Sequence, residues 1–252
     1  MDKSLVYRLN VWIAEVLKDI APNLYKYRDN FGKSGEATVE MFWKAGLIAF
    51  AIGLMMGVLL VVTKKGGIRQ NLLVYQITNT VVNVFRSIPF IILLIFLIPL
   101  TRAVVGTAIK VRGAILPLVF GTVPFYTRQV EVALSGVEEG KIESARSMGS
   151  GTLGLIFRVY LHEAVPALIR VTTVTAISLI GLTTMAGAVG AGGIGSFAIN
   201  YGQNQSYADI VNVCVGVLLI ATILLQSLGN GLARLTTNRG LITKRHQSPE
   251  NQ

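Results

Sequence analysis

"AGLIAFAIGLMMGVLLVV", residues 45–62, is an uninterrupted run of apolar and small residues that follows Lys44 and ends two residues before Lys64. A helix needs about 20 mostly apolar residues to cross a hydrocarbon core of roughly 30 Å. The whole chain shares this character, because its mean hydropathy is +0.59. Its 26 glycines favour helices that pack closely in a membrane. The sequence therefore predicts an all-α, polytopic membrane protein rather than one or two soluble domains.

Four further runs without a charged residue extend this prediction. Residues 171–208 and 210–233 are each long enough for at least one crossing. Residues 87–101 and 113–127 are shorter, and we expect Arg102 and Arg128 to extend them by reaching towards the interface. About five transmembrane helices are predicted. The alternative is that the two short runs are buried core helices.

The distribution of lysine and arginine predicts the orientation. Thirteen of the 23 basic residues fall in residues 63–86, 128–170 and 234–245, whereas residues 190–209 carry none. Because basic residues accumulate in cytoplasmic loops, we expect the N-terminus outside and the C-terminus in the cytoplasm. Three basic residues in 102–112 and seven in the first 44 residues weaken this asymmetry without reversing it.

The N-terminal segment, residues 1–37, has the pattern of an amphipathic extension. Apolar residues recur at helical spacing from Leu5 to Ile20, and Pro22 is expected to end the helix. Such a helix lies either in the headgroup region or against a partner subunit. Charged residues within it argue against a signal peptide.

Two glycine motifs resemble nucleotide sites but lack their context. Gly190, Gly192 and Gly195 satisfy G-x-G-x-x-G, yet they follow a predicted membrane helix instead of a strand, and Asp209 comes too soon for the ribose contact. A tight re-entrant turn is the better interpretation. Gly32–Lys33–Ser34 lacks the first glycine of a phosphate-binding loop. The two histidines have no partners at metal-ligand spacing, so we expect neither a cofactor nor a metal.

A polar stretch, "EGKIESARSMG" at residues 139–149, lies between the third and fourth predicted crossings. Ala145 and Gly149 are four residues apart, so we expect them to share one helical face, where another protein could approach closely, and Glu143 and Arg146 to flank that face. The alternative is an ordinary solvated helix with an intrahelical ion pair.

At this stretch the chain resembles the integral-membrane permeases of ABC importers. Their cytoplasmic signature is E-A-A, three residues, G, nine residues, then I-x-L-P; here Glu143, Ser144 and Ala145 precede Gly149, and Val159 to Leu161 follow. His162 replaces the family proline, and Pro166 is expected to supply the break. The resemblance covers residues 38–236 and is strongest to methionine-type permeases, through "FRSIPFIILL" from Phe85 and "AVGAGGIG" from Ala188. Residues 237–252 form a cytoplasmic tail.

This resemblance implies a type I importer permease fold with a cytoplasmic coupling helix, located in a bacterial cytoplasmic membrane. It also implies a non-enzymatic subunit that imports methionine, either the L-form alone or both the L- and D-forms. The implied partners are a second copy of the chain, two copies of an ATPase subunit, a substrate-binding lipoprotein and membrane lipid, with no nucleic acid. The residues implied in coupling to the ATPase are Glu143, Ser144, Ala145, Arg146 and Gly149.

The solute pathway is less defined by the sequence. The fourth and fifth runs contain no acidic residue, which disfavours a proton relay. The fourth run is rich in hydroxyls, and by resemblance Met185, Thr184 and Ser178 are candidate gate or pathway residues. The alternative is that these hydroxyls bond their own helix backbone. The competing functions are a permease for another small solute, a channel or secondary carrier, and a membrane enzyme, for which no catalytic constellation is found.

Overall fold

The computed structural model describes residues 21–245, with side chains as far as residue 237, and every regular element in this part of the chain is a helix. The predicted amphipathic helix of residues 5–20 lies outside the described residues. In chain order the helices are α1 Pro22–Lys26, α2 Arg28–Thr63, α3 Leu72–Ser87, α4 Phe90–Phe96, α5 Ile98–Val105, α6 Lys110–Ser135, α7 Glu139–Ser147, α8 Thr152–Gly154 with a π-helical continuation Leu155–Leu161, α9 Val165–Ala188, α10 Gly193–Phe197 with a π-helical continuation Ala198–Gln203, and α11 Ala208–Arg245.

The all-α membrane class is confirmed. Within the described residues α2, α9 and α11 are each long and apolar enough to cross a membrane alone. The pairs α3–α4 and α5–α6 pass the same criterion together but bend by 103° and 120°, so the number of spans is five if each bent pair counts as one.

The short run at residues 87–101 is not one continuous crossing. Ile88, which precedes Pro89, adopts an extended backbone and ends α3, as expected for a residue before proline. A second break follows α5, where Gly106 adopts a left-handed conformation with φ of 82°. The prediction of a single span here was wrong, because hydropathy counts apolar residues but carries no information on helix direction.

The described part of the chain starts with a helix that was not predicted. Pro22 is the first residue of α1, and the helix that it was expected to end lies outside the described residues. Proline suits this position, because the first N–H groups of a helix have no intrahelical acceptor. Helix α2 then begins at Arg28 and runs without a break across residues 37 and 38, where the sequence analysis placed a domain boundary.

Glycines bring the helices into close contact, as predicted. A Cβ atom added to Gly53 would lie 2.8 Å from Cδ1 of Tyr126, and one added to Gly57 would lie 2.5 Å from Cγ1 of Val130. The G-x-x-x-G pair of α2 therefore packs directly on α6. Further along the chain, a Cβ on Gly229 would lie 2.0 Å from the Thr173 hydroxyl.

The chain divides into two compact units. Among the described residues, unit 1 contains 21–45, 90–118 and 179–222, and unit 2 contains 46–89, 119–178 and 223–245. The core of unit 1 includes Leu24, Ile194, Phe197, Ile210 and Cys214. The core of unit 2 includes Val61, Tyr126, Val130, Leu134 and Tyr160.

Candidate functional site

The polar stretch forms helix α7, and its termination is well defined. Glu139 lies in the first turn and Arg146 in the last, which suits the helix dipole. The Gly149 N–H donates to the Arg146 carbonyl at 3.0 Å, and the Ser150 N–H donates to the Ala145 carbonyl at 3.1 Å. With φ of 81° at Gly149, this is a Schellman C-cap.

The prediction that Ala145 and Gly149 share one helical face is wrong. Gly149 lies beyond the end of α7, so a spacing of four no longer places it on the same helical face. Ala145 is buried within this chain, with 8% of its surface exposed. A Cβ on Gly149 would meet nothing within 4 Å. Glycine is therefore needed at this position for its left-handed backbone conformation, and not because another part of this chain packs closely against it.

The exposed surface of this region is formed by other residues. Glu143, Ser144 and Arg146 are exposed on α7. Immediately after it, Met148 is 77% exposed and Leu153 is 70% exposed. Neither residue was predicted as part of the site. Both could have been noticed in the sequence, because they are large apolar residues within a charged connecting segment. We call Glu143, Ser144, Arg146, Met148 and Leu153 the α7 surface.

Helix α7 is attached to the rest of unit 2 at both ends. Lys141 donates to Glu163, and this hydrogen bond raises the pKa of Lys141, so that the ammonium stays charged at neutral pH. Arg146 donates to the Ile68 carbonyl at 3.3 Å. Glu143 and Arg146 form no ion pair in the described part of the chain. The alternative of an intrahelical pair is therefore not what the structure shows.

The backbone of the segment that follows α7 explains why His162 can replace the proline of the family signature. The π-helix ends at Leu161, and His162 keeps a helical backbone with φ of −66°. The chain turns only at Ala164, after which α9 begins at Val165 with Pro166 in its first turn. The break thus coincides with Pro166, as expected from the sequence.

Arg128 lies inside α6, which continues to Ser135. It donates to Glu131, to Asn79 Oδ1 at 2.6 Å and to Asn83 Oδ1 at 2.8 Å. Glu131 balances the charge of the guanidinium and the two amide oxygens accept its remaining N–H groups, a set of partners that was not predicted. Glu131 is only 9% exposed and was missed because the search for acids covered the fourth and fifth runs alone.

The hydroxyls of α9 are mostly satisfied by their own helix. Thr173, Thr175, Thr183 and Thr184 donate to carbonyls three or four residues earlier. This is the alternative that the sequence left open. The Thr172 hydroxyl instead pairs with the Tyr126 hydroxyl at 2.7 Å.

The exposed side of α9 contains two of the three candidate pathway residues. Ser178 is exposed and Met185 is 43% exposed, whereas Thr184 is half-buried. Ser178 and Met185 belong to one stripe of the helix that is otherwise composed of Val174, Gly181 and Ala188. This stripe is small and weakly polar, unlike the exposed side of α11, which presents mainly leucine and isoleucine.

The glycine-rich turn after α9 is a tight turn, as predicted. Gly190, Gly192 and Gly193 have φ between 82° and 89°. A Cβ on Gly195 would lie 2.2 Å from the Thr184 carbonyl oxygen. The Ile194 N–H donates to the Thr38 hydroxyl at 2.8 Å, which ties the turn to α2. The motif follows a helix instead of a strand, so it lacks the context of a dinucleotide site.

A contact of the N-terminal segment was not predicted. Asn23 donates through its backbone N–H and its side-chain amide to the two carboxylate oxygens of Asp209, at 3.0 and 3.1 Å. Tyr27 packs on Tyr201 with a centroid distance of 4.8 Å. We call the Asn23–Asp209 contact the clasp. It joins α1 to the first turn of α11.

Comparison with known proteins places these features in context. Residues 43–239 match the family described as binding-protein-dependent transport system inner membrane component. The probable D-methionine transport system permease protein MetI of Vibrio cholerae is 40% identical over 202 residues, which cover 80% of this chain and 90% of that protein. The methionine import system permease protein MetP of Bacillus subtilis is 45% identical over 181 residues, covering 72% and 82%.

Solved structures agree. A chain of the MetNI methionine ABC transporter in inward-facing conformations is 40% identical, with a TM-score of 0.82 over 84% of this chain and 98% of that chain. A chain of an amino acid ABC transporter crystallised with histidines has a TM-score of 0.67 at 16% identity, a likeness of fold alone.

Proposed function

Because the chain belongs to the binding-protein-dependent transport system inner membrane components, we propose that it is the permease subunit of an ABC importer for methionine. The choice of methionine as the substrate rests on sequence identities of 40–45%, over most of the chain, to permeases named for methionine or D-methionine. Both L- and D-methionine are candidate solutes. The chain itself is a transport subunit, and ATP hydrolysis belongs to a separate ATPase.

The α7 surface is the candidate ATPase contact. Its residues are exposed in the single chain, while α7 is fastened to the start of α9 by Lys141 and Glu163. A displacement of α7 would therefore pull on the membrane helix that follows it. This suits rigid-body alternating access, in which closure of two ATPase subunits rotates the permease helices. In this scheme Glu143, Ser144 and Arg146 contact the ATPase, and Ala145 and Gly149 position them.

The exposed stripe of α9 is the candidate pathway lining. A lipid-facing helix gains from large apolar side chains such as those exposed on α11. The α9 stripe offers Ser178, Gly181 and Ala188 instead, which suits a water-filled path or a second copy of the chain. We assign Met185, with Thr184 behind it, to the outer gate of a homodimer.

The remaining assembly follows the same proposal. Two copies of this chain form one pathway, two ATPase subunits dock on the cytoplasmic side, and a lipoprotein delivers methionine from outside. The N-terminus lies outside and the C-terminus in the cytoplasm of a bacterial cell. Residues 38–236 form the permease domain, residues 1–37 an extension, and residues 237–252 a tail.

Uptake of labelled methionine tests the substrate. The transporter operon should be expressed in cells that lack their own methionine importers, with unlabelled L-methionine, D-methionine and histidine as competitors. We expect saturable uptake that both methionine enantiomers inhibit and histidine does not. Inhibition by histidine alone would contradict methionine as the substrate and would favour a permease for another amino acid.

A further inference from the structure

Unit 2 contains a polar cavity of about 490 Å³ that shares Glu143 and Arg146 with the α7 surface. It lies between the residues that follow α2, the end of α6, and α7. Lys64, Lys65 and Arg146 contribute three positive charges to its lining, and Glu139 and Glu143 contribute two negative charges. The lining therefore carries one positive charge in excess. Its volume is in the range of sites that hold small organic molecules.

The three cations have no carboxylate partner among the described residues. Lys64 donates to the Ser135 hydroxyl at 3.2 Å, and Arg146 donates to a backbone carbonyl. Lys65 is exposed and makes no side-chain hydrogen bond within residues 21–237. Their hydrogen-bond partners are neutral, so the lining keeps its excess of one positive charge, which a monoanion in the cavity would balance.

The cavity lies where two helices of candidate spans end, and we therefore expect it at the membrane surface. Thr63 is the last residue of α2 and Ser135 the last of α6, and both helices take part in candidate spans. Lys64 therefore stands where a spanning helix leaves the hydrocarbon. Basic pockets at this level are suited to lipid headgroups.

The other walls of the cavity are apolar. Leu134, Val137 and Ile142 line it beside the charged groups. Tyr160 also lines it, and burial raises the pKa of its phenol, so the hydroxyl remains a donor at neutral pH. A free phosphate would leave these apolar walls uncovered, whereas a lipid headgroup continues into a glycerol backbone and acyl chains.

We propose that this cavity binds the phosphodiester headgroup of an anionic membrane phospholipid. The phosphate is held by Lys64, Lys65 and Arg146, and the headgroup hydroxyls by Glu139 and Glu143. Because three of these residues belong to α7, a bound lipid fastens this helix to the membrane surface. The inference adds a lipid beside the proposed ATPase contact, with which it shares Glu143 and Arg146, and it does not depend on the identity of the solute.

Native mass spectrometry of the purified full-length permease complex tests the site. The complex should be delipidated in detergent and then mixed separately with phosphatidylglycerol, phosphatidylcholine and inorganic phosphate. The variant is the double substitution Lys64→Gln and Lys65→Gln, and the matched control is Lys26→Gln with Lys33→Gln, two exposed lysines of unit 1. We expect phosphatidylglycerol to bind the unsubstituted complex and the control, and roughly thirtyfold more weakly to the variant, the factor for two basic residues at an anionic surface.

Three results would overturn the proposal. Equal phosphatidylglycerol binding by the double variant would show that these lysines hold no lipid. Saturation by inorganic phosphate alone, with no preference between the two lipids, would identify a free anion as the ligand. Loss of the ATPase subunit from the double variant with lipid binding intact would assign the cavity to the ATPase. If the double variant fails to fold, Lys65→Gln alone serves in its place, because this side chain is exposed and bonds to nothing within residues 21–237.

Discussion

Two glycine-containing turns of this chain serve opposite purposes. Where α9 meets α10, a Cβ on Gly195 of α10 would meet the Thr184 carbonyl oxygen at 2.2 Å, and one on Gly187 of α9 would meet the Ser196 nitrogen at 2.5 Å, although Gly190 and Gly192 between the helices have open space around them. In the turn after α7, a Cβ on Gly149 or Gly151 would meet nothing within 4 Å. Gly195 and Gly187 are therefore in tight contact with other parts of the same chain. Gly149 and Gly151 have no such contacts, so a partner protein has room to approach them.

The largest effect on stability is expected at Gly195. Gly195→Ala forces a methyl group against backbone, which cannot move aside as a flexible side chain can, so we expect a loss of about 3 kcal/mol of stability, the upper end of the usual cost of overpacking. The matched control is Gly181→Ala on α9, where a Cβ meets nothing within 4 Å. Alanine there should preserve or raise stability, by up to about 1 kcal/mol. Thermal unfolding of both variants in detergent checks this, and equal melting temperatures would refute the packing argument.

The clasp gives the next effect. Asp209→Ala removes the acceptor of both Asn23 donors, and hydrogen bonds to a charged group contribute about 2 kcal/mol. We expect a lower melting temperature and earlier proteolysis of the N-terminal segment than in the control Asp29→Ala, whose side chain is 88% exposed. Identical proteolysis of the two variants would mean that the clasp does not hold α1.

Substitutions of Gly149, in the turn after α7, are expected to have the smallest effect on stability and the clearest effect on transport. Gly149→Val places a β-branched residue at φ of 81°, which costs about 1–2 kcal/mol, whereas Gly149→Asn is the control because asparagine tolerates this conformation. We expect both variants to reach the membrane in normal amounts, with methionine uptake reduced only in Gly149→Val. Full uptake by Gly149→Val would show that the cap geometry has no role in coupling.

The same contrast explains how much the sequence could predict. The membrane class, the tight turn at Gly190–Gly195 and the break near Pro166 each follow from a local property: hydropathy, glycine conformation or the missing proline N–H. These properties act within a few residues, so they are readable without tertiary information.

The failures arose where a distant or absent contact decides the outcome. The partners of Arg128 were not predicted, because the sequence cannot show that Asn79 and Asn83 on another helix accept its hydrogen bonds. Gly149 was placed on a helical face, because periodicity cannot reveal that the helix has already ended. The clasp between Asn23 and Asp209 joins residues 186 positions apart and leaves no local signal.

Photo-crosslinking at the α7 surface tests the central claim most directly. A benzophenone amino acid should replace Met148, which is 77% exposed, and as a control replace Gln203, an exposed residue in the segment proposed to be external. After irradiation of intact cells, the tagged permease is purified and its adducts are identified by mass spectrometry. We predict an adduct at position 148 with a protein that carries an ATPase phosphate-binding loop, and none with that protein at position 203. No such adduct at position 148 in a permease that still takes up methionine, or the same adduct at position 203, would contradict coupling through α7.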